Sequence, residues 1–119
     1  MIIFKSPELK EQFNYQINTG LKNILYALAG YLKYNFAADL LITSLVRHDV
    51  PILIHWSKRA ADAGTEKLTS LQAMQTKDWL NTNFPYGDGV HQTCLYEMKG
   101  EIHNGITSTG NHLHIQTIA

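Results

Sequence analysis

Two groups of histidine and aspartate residues have types and spacings that suit metal binding. His112 and His114 alternate around Leu113, so in a strand both imidazoles would project from one face of a sheet. His55 precedes Asp62 by seven positions, with alanines just before the acid. Zinc accepts both imidazole nitrogens and carboxylate oxygens. Taken singly, each group is equally well explained by ordinary core or surface residues.

Together the two groups predict an open metal site. His55, Asp62 and His114 would supply three ligands and leave the fourth zinc position for water, as catalytic sites do. A structural zinc site normally takes four ligands, often several cysteines, whereas this chain has one cysteine. The same ligands also accept manganese, cobalt or nickel. The alternative is a metal-free protein in which the histidines are incidental.

The spacing resembles a family of zinc peptidases that includes D-Ala-D-Ala carboxypeptidases, VanX-type dipeptidases and phage L-alanyl-D-glutamate endolysins. Their pattern S-x-H-x-x-G-x-A-x-D is matched in register by His55, Ala60 and Asp62. Residues 112–114 look like their second motif, often H-x-H or E-x-x-H, which ends in a histidine ligand. Residues 43–47 (T-S-L-V-R) are similar to the family's T-S-G-Y-R, whose arginine lies beside the substrate.

The match spans roughly residues 40–116 but rests on few identities. Leu53 stands where the motif has serine, Lys58 where it has glycine, and Leu45 and Val46 replace the Gly-Tyr pair. Because glycine positions often serve backbone geometry, Lys58 predicts a shifted turn.

The general base is the main departure from the family. Its members usually place Glu or Asp a few residues before the last histidine ligand, where this chain has Ser108 and Asn111. Neither side chain can take a proton from water. Glu97 and Glu101 are the nearest acids, and a hairpin would bring either one across to the histidines. Each acid is equally well explained as a solvated surface residue.

The resemblance implies a zinc metallopeptidase, a hydrolase that degrades the cell wall by cleaving peptidoglycan stem peptides or cross-links. It is compatible with a carboxypeptidase or a phage or prophage endolysin. Arg47 would hold a substrate carboxylate or the oxyanion, and His112 would hydrogen-bond the tetrahedral intermediate. The alternative is a catalytically inactive metal-binding module of the same fold that binds a peptide or wall ligand. The hedgehog domain shows that this fold can keep the metal and lose catalysis. The missing acid before His112 favours that alternative.

Several elements would position these residues. Residues 6–8 (S-P-E) are typical of a helix start, residues 21–32 carry leucine and isoleucine at helical spacing, and residues 40–43 suit a buried strand. Residues 69–70 would cap a third helix. Its apolar stripe is expected to comprise Leu71, Met74 and either Trp79 or Leu80.

The C-terminal part predicts a β-hairpin. Residues 92–98 and 112–118 would form its strands, joined through residues 100–110, and residues 81–89 would form an irregular loop. Cys94 is expected to be buried in the first strand. The predicted fold is α+β, with N-terminal helices packed on a small, mostly antiparallel sheet. The resemblance further implies a hedgehog-like or DD-peptidase-like arrangement.

Composition narrows the function classes. The 119 residues suit one domain spanning 1–119, and ten basic residues balance ten acidic ones, so no overall field favours nucleic acid. Residues 1–7 lack the pattern of a signal peptide, and residues 21–32 are too short and too polar to span a bilayer. We therefore expect cytoplasmic synthesis, no membrane insertion, and action on the wall after release. The oligomeric state is left open.

Overall fold

The computed structural model describes residues 1–46, 58–103, 106–108 and 110–118. Among these, the helices are α1 (Pro7–Tyr15), α2 (Thr19–Phe36) and α3 (Ser70–Asn83). The strands are β1 (Ile2–Phe4), β2 (Leu40–Ser44), β3 (Ala60–Gly64), β4 (Cys94–Glu97), β5 (Ile102–His103), β6 (Ile106–Thr107) and β7 (His112–Gln116). The chain is therefore an α+β protein, as the sequence predicts.

The first two helices begin close to the predicted positions. Ser6 is the N-cap residue of α1, and Pro7 is its first residue, where a missing amide hydrogen costs nothing. Asn18 caps α2 because its side-chain oxygen accepts hydrogen bonds from the backbone nitrogens of Gly20 and Leu21. The apolar face of α2 supplies much of the core.

Helix α3 begins at the predicted cap but buries a different face. Thr69 and Gln72 form a capping box, each side chain accepting a hydrogen bond from the other's backbone nitrogen. The predicted stripe is wrong for Leu71, which is 68% exposed, and for Met74, which is 40% exposed. The residues that α3 buries are Ala73, Thr76 and Leu80. These follow helical spacing, but two are small or polar, so apolar content points to the wrong face.

Five of the described strands form one mixed sheet in the order β1-β2-β3-β7-β4, and β5 pairs with β6 in a separate hairpin. Only the β1–β2 pair in the large sheet is parallel. The predicted C-terminal hairpin is confirmed by the antiparallel pairing of β4 with β7, although both strands are shorter than predicted. The sequence did not predict β1 or β3, and helix α3 continues into the predicted loop.

The core lies between the helices and one face of the sheet. Side chains alternate between the two faces of a strand, and on β3 and β7 the core face carries Ala61, Ala63, Leu113 and Ile115. They pack with α2 residues such as Leu25 and Leu28. The opposite face of these strands is left for polar side chains.

Candidate functional site

Three adjacent strands place four ionisable side chains on the sheet face opposite the core. Asp62 on β3 lies directly across from His114 on β7, and Glu97 on β4 lies across from His112. His112 and His114 share a face because they are two residues apart. We call Asp62, Glu97, His112 and His114 the histidine–carboxylate cluster.

The polar atoms of the cluster converge. His114 Nδ1 lies 3.1 Å from Asp62 Oδ1 and 3.9 Å from Glu97 Oε1. His112 Nε2 lies 3.5 Å from Glu97 Oε2 and 3.9 Å from Asp62 Oδ1. Each imidazole therefore faces both carboxylates.

The cluster is largely shielded from water. Asp62 and His114 are each 7% exposed and Glu97 is 8% exposed, values that charged residues reach only with partners. A buried carboxylate needs a compensating positive charge, and the cluster supplies two imidazoles for two carboxylates.

The two histidines hold their protons more tightly than free histidine does. Glu97 raises the pKa of His112 from 6.5 to about 9, against an opposing effect of burial and with help from Asp62. Burial by itself would lower the pKa of His114, but the hydrogen bond to Asp62 and the charges of Asp62 and Glu97 outweigh it and raise that pKa. Both shifts have the sign expected for imidazoles beside carboxylates.

The pairing of β2 with β3 is irregular beside the cluster. The pairing shifts between Ile42 and Ser44, so that Ser44 lies across from Asp62. Thr43 at the shift donates a hydrogen bond from its hydroxyl to the carbonyl oxygen of Asp62. Such bulges re-aim side chains and are common beside active sites. Within the described part of the chain, the buried hydroxyl of Ser44 has no hydrogen-bond partner.

Of the two candidate acids, the structure brings Glu97 to the histidines. Glu101 is exposed, and its Oε1 accepts a hydrogen bond from the backbone nitrogen of Met98 at 2.6 Å, so it caps the turn that follows β4. The sequence left this choice open because it did not give the strand register. Arg47 and His55 lie outside the described residues.

Lys58 has a backbone conformation that suits glycine. Its φ is 66°, in the left-handed region that side chains with a Cβ rarely adopt. The related motif has glycine at this position. Lys58 also accepts a hydrogen bond from the backbone nitrogen of Asn18 through its carbonyl oxygen, at 2.9 Å, which ties this turn to the start of α2.

The donor set of the cluster suits a divalent cation, although no group of three donors in the described residues is arranged to hold one as it stands. The 3.1 Å between Asp62 Oδ1 and His114 Nδ1 is close to the separation of about 3.3 Å between two ligands of a tetrahedral zinc ion with bonds of about 2.0–2.1 Å. A 2+ ion would also balance the two carboxylates in place of two protons. The third predicted ligand, His55, is not among the described residues.

Gln116 is a site residue that the sequence analysis missed. It is 7% exposed and lies on the cluster's face, two positions after His114. Its Oε1 is 3.1 Å from His114 Nε2, and its Nε2 donates to the carbonyl oxygen of Gln92 at 2.8 Å. The alternation that groups His112 with His114 also includes Gln116, and that signal could have found it.

A second concave region lies beside the segment that precedes β4. It encloses about 320 Å³ and is lined in part by Tyr86, His91 and Gln92. Asp88 accepts hydrogen bonds from the backbone nitrogens of Val90 and His91 and pairs with the His91 ring. These bonds, that to the ring above all, lower the pKa of Asp88 to about 2.

Cys94 is structural, as its sequence context predicts. It is fully buried in the core, and burial raises the pKa of its thiol to about 12. A buried thiol that stays protonated at neutral pH is a poor nucleophile.

Comparison with known proteins adds no relative. No protein-family model, no curated protein and no solved structure matches the chain. Among the helices that the structure describes, none is long and apolar enough to cross a membrane.

Proposed function

We propose that this chain is a zinc-dependent peptidase that hydrolyses peptidoglycan stem peptides or cross-links. We further propose that it is a phage or prophage lytic enzyme. The substrate class and the hedgehog-like fold family come from the resemblance of its motifs. The observation that carries the proposal is the position of Glu97, a buried carboxylate beside both histidines.

Glu97 would fill the role that the sequence leaves vacant before His112. The acid comes from the neighbouring strand β4, because the β4–β7 register places Glu97 across from His112. Its two carboxylate oxygens lie 3.5 Å from His112 Nε2 and 3.9 Å from His114 Nδ1. A general base must reach the proton that it abstracts, and Glu97 lies beside the proposed ligand His114.

The proposed ligands are His55, Asp62 and His114. Zinc bound there would supply a Lewis acid and a water that ionises near neutral pH. The fit rests on the donor chemistry of the cluster and on the 3.1 Å approach of Asp62 to His114.

The remaining residues would handle the proton and the developing charge. Glu97 would take the proton from the attacking water and deliver it to the leaving amine. His112 would donate a hydrogen bond from Nε2 to the oxyanion. By resemblance, Arg47 would hold a substrate carboxylate through its paired N–H groups.

The test is the release of D-alanine or stem-peptide fragments from purified peptidoglycan by the zinc-loaded protein, followed by mass spectrometry. We expect Glu97→Gln to lower the rate at least 100-fold, in line with the loss of a general base. Glu8→Gln, a change at an exposed acid on α1, is the matched control and should leave the rate unchanged. Glu101→Gln separates the two candidate acids.

Two outcomes would redirect the proposal. Stoichiometric zinc with no hydrolysis by the wild-type protein would support the inactive binding module. Full activity in Glu97→Gln together with loss in Glu101→Gln would assign the base to Glu101 instead.

A further inference from the structure

Gln116 links the histidine–carboxylate cluster to the backbone before β4. Its side chain lies between His114 and Gln92, with Oε1 3.1 Å from His114 Nε2 and Nε2 2.8 Å from the Gln92 carbonyl oxygen. Its own backbone nitrogen donates to the carbonyl oxygen of Thr93 at 2.8 Å. The residue is therefore tied to two consecutive residues of one segment, which limits its rotation.

The chemistry of these contacts fixes which way the amide points. A backbone carbonyl can only accept a hydrogen bond, so the amide NH₂ of Gln116 must face Gln92. The amide oxygen then faces His114 Nε2, and this oxygen can only accept. A favourable contact therefore requires His114 to carry a proton on Nε2.

The other nitrogen of His114 faces the carboxylate. Nδ1 lies 3.1 Å from Asp62 Oδ1, so Nδ1 is the nitrogen whose proton a cation could replace while Nε2 keeps its own. In metal sites, the hydrogen bond made by the second ring nitrogen commonly fixes the ligating tautomer.

We propose that Gln116 is a positioning residue that keeps the His114 proton on Nε2, so that His114 binds a metal ion through Nδ1. The inference rests on the proposed metal site for its second half. The first half, the hydrogen bond between His114 Nε2–H and Gln116, concerns the protein without metal.

Zinc affinity tests the second half. Gln116→Leu removes the acceptor while keeping a similar side-chain volume. We expect the zinc dissociation constant to increase 10- to 100-fold, which is the usual effect of losing such a partner. Gln116→Glu retains an acceptor for Nε2–H but loses the donor to the Gln92 carbonyl oxygen, so it should recover only part of the affinity. Gln75→Leu, at an exposed position of α3, is the control for the same substitution and should bind zinc as the wild type does.

Nuclear magnetic resonance identifies the protonated nitrogen directly. In the zinc-bound wild type, long-range proton–nitrogen correlation spectra of His114 should show a proton on Nε2 and none on Nδ1. A proton on Nδ1 with zinc bound, or unchanged affinity in Gln116→Leu, would overturn the proposal. Circular dichroism of each variant checks that folding is retained.

The metal-free protein separates this inference from the proposed function. There the Nε2–H of His114 should exchange slowly with solvent in the wild type and at least 10-fold faster in Gln116→Leu. Failure of the wild type to bind zinc, with this difference present, would refute the metal site and the Nδ1 ligation but keep the role of Gln116 toward Nε2–H. Equal exchange rates in both proteins would refute that role whether or not zinc binds.

Discussion

Among the described residues, two close histidine–aspartate pairs have the same chemistry but differ in sequence separation and in exposure. His91 and Asp88 are three residues apart in a loop, with Nδ1 and Oδ2 2.5 Å apart and side chains 61% and 29% exposed. His114 and Asp62 are separated by 52 positions and meet across two strands, with side chains 9% and 10% exposed.

The comparison shows that a close histidine–aspartate contact does not by itself make a functional site. The other carboxylate oxygen of Asp88 accepts hydrogen bonds from the backbone nitrogens of Val90 and His91, so this pair stabilises a turn. Asp62 and His114 instead adjoin a second carboxylate and a second imidazole in a buried setting. Convergence and desolvation distinguish the buried pair, because electrostatic interactions are stronger away from water.

Zinc binding should separate the two pairs most strongly. Asp62→Ala removes a proposed ligand and is expected to weaken zinc binding more than 100-fold, whereas the matched change Asp88→Ala should have no effect. Competition with a chromogenic chelator measures both dissociation constants. Equal affinities in the two variants would remove the distinction between the pairs.

The pH dependence of stability should reveal the buried cluster in the absence of metal. Because the pKa of His112 rises from 6.5 to about 9 on folding, its stabilising contribution is complete below about pH 6.5 and is lost as the pH rises through about 9. We expect the loss of the His112 contribution to lower the free energy of unfolding by about 3 kcal/mol across this range, and the raised pKa of His114 to add to the fall. Urea unfolding with a chelator present measures it.

Two histidine variants make that test specific. His112→Gln should reduce the alkaline decline to the part that His114 contributes, while His91→Gln should retain the full decline. A wild-type protein whose stability is constant from pH 6.5 to 9.5 would contradict the raised pKa.

A substitution in the turn just before β3 should have a smaller effect on the free energy of unfolding. Lys58→Gly should raise the free energy of unfolding by up to about 1 kcal/mol, because glycine adopts the positive φ of this residue without steric cost. Lys10→Gly, inside α1, should instead be destabilising. Thermal unfolding compares them, and destabilisation by Lys58→Gly would show that the lysine side chain matters more than backbone strain.

The exposed pair should give the smallest change, and on the acid side. The pKa of Asp88 is lowered to about 2 from 3.8, so its contribution is present above about pH 3.8 and is lost as the pH falls through about 2. Asp88→Asn should lower the free energy of unfolding by a small, constant amount above about pH 3.8 and should remove the decline on the acid limb. An acid decline of wild-type size in Asp88→Asn would assign that limb to another group.

Much of the cluster was predictable, but the partners of each residue were not. Alternation in residues 112–114 correctly places His112 and His114 on one face. The pairing of Asp62 with His114 needs the β3–β7 register, which depends on contacts far apart in sequence. Glu97 was left beside Glu101 as an alternative for the same reason.

The incorrect predictions about the fold also have physical causes. Leu71 and Met74 suggested the buried face of α3, yet the close packing uses Ala73, whose small side chain lets the helix approach its neighbours. Strand β1 has three residues, too few for a periodic pattern. The sequence does not predict Gln116 as a site residue because an amide has no acid–base chemistry of its own.

A crystal structure of the protein with zinc tests the central claim most directly, since anomalous scattering locates the metal. We expect one zinc ion per chain, held by His55, Asp62 and Nδ1 of His114, with the Glu97 carboxylate within hydrogen-bond reach of the open fourth position. Zinc bound elsewhere, such as at His91, or Glu97 turned away from the metal, would contradict the account.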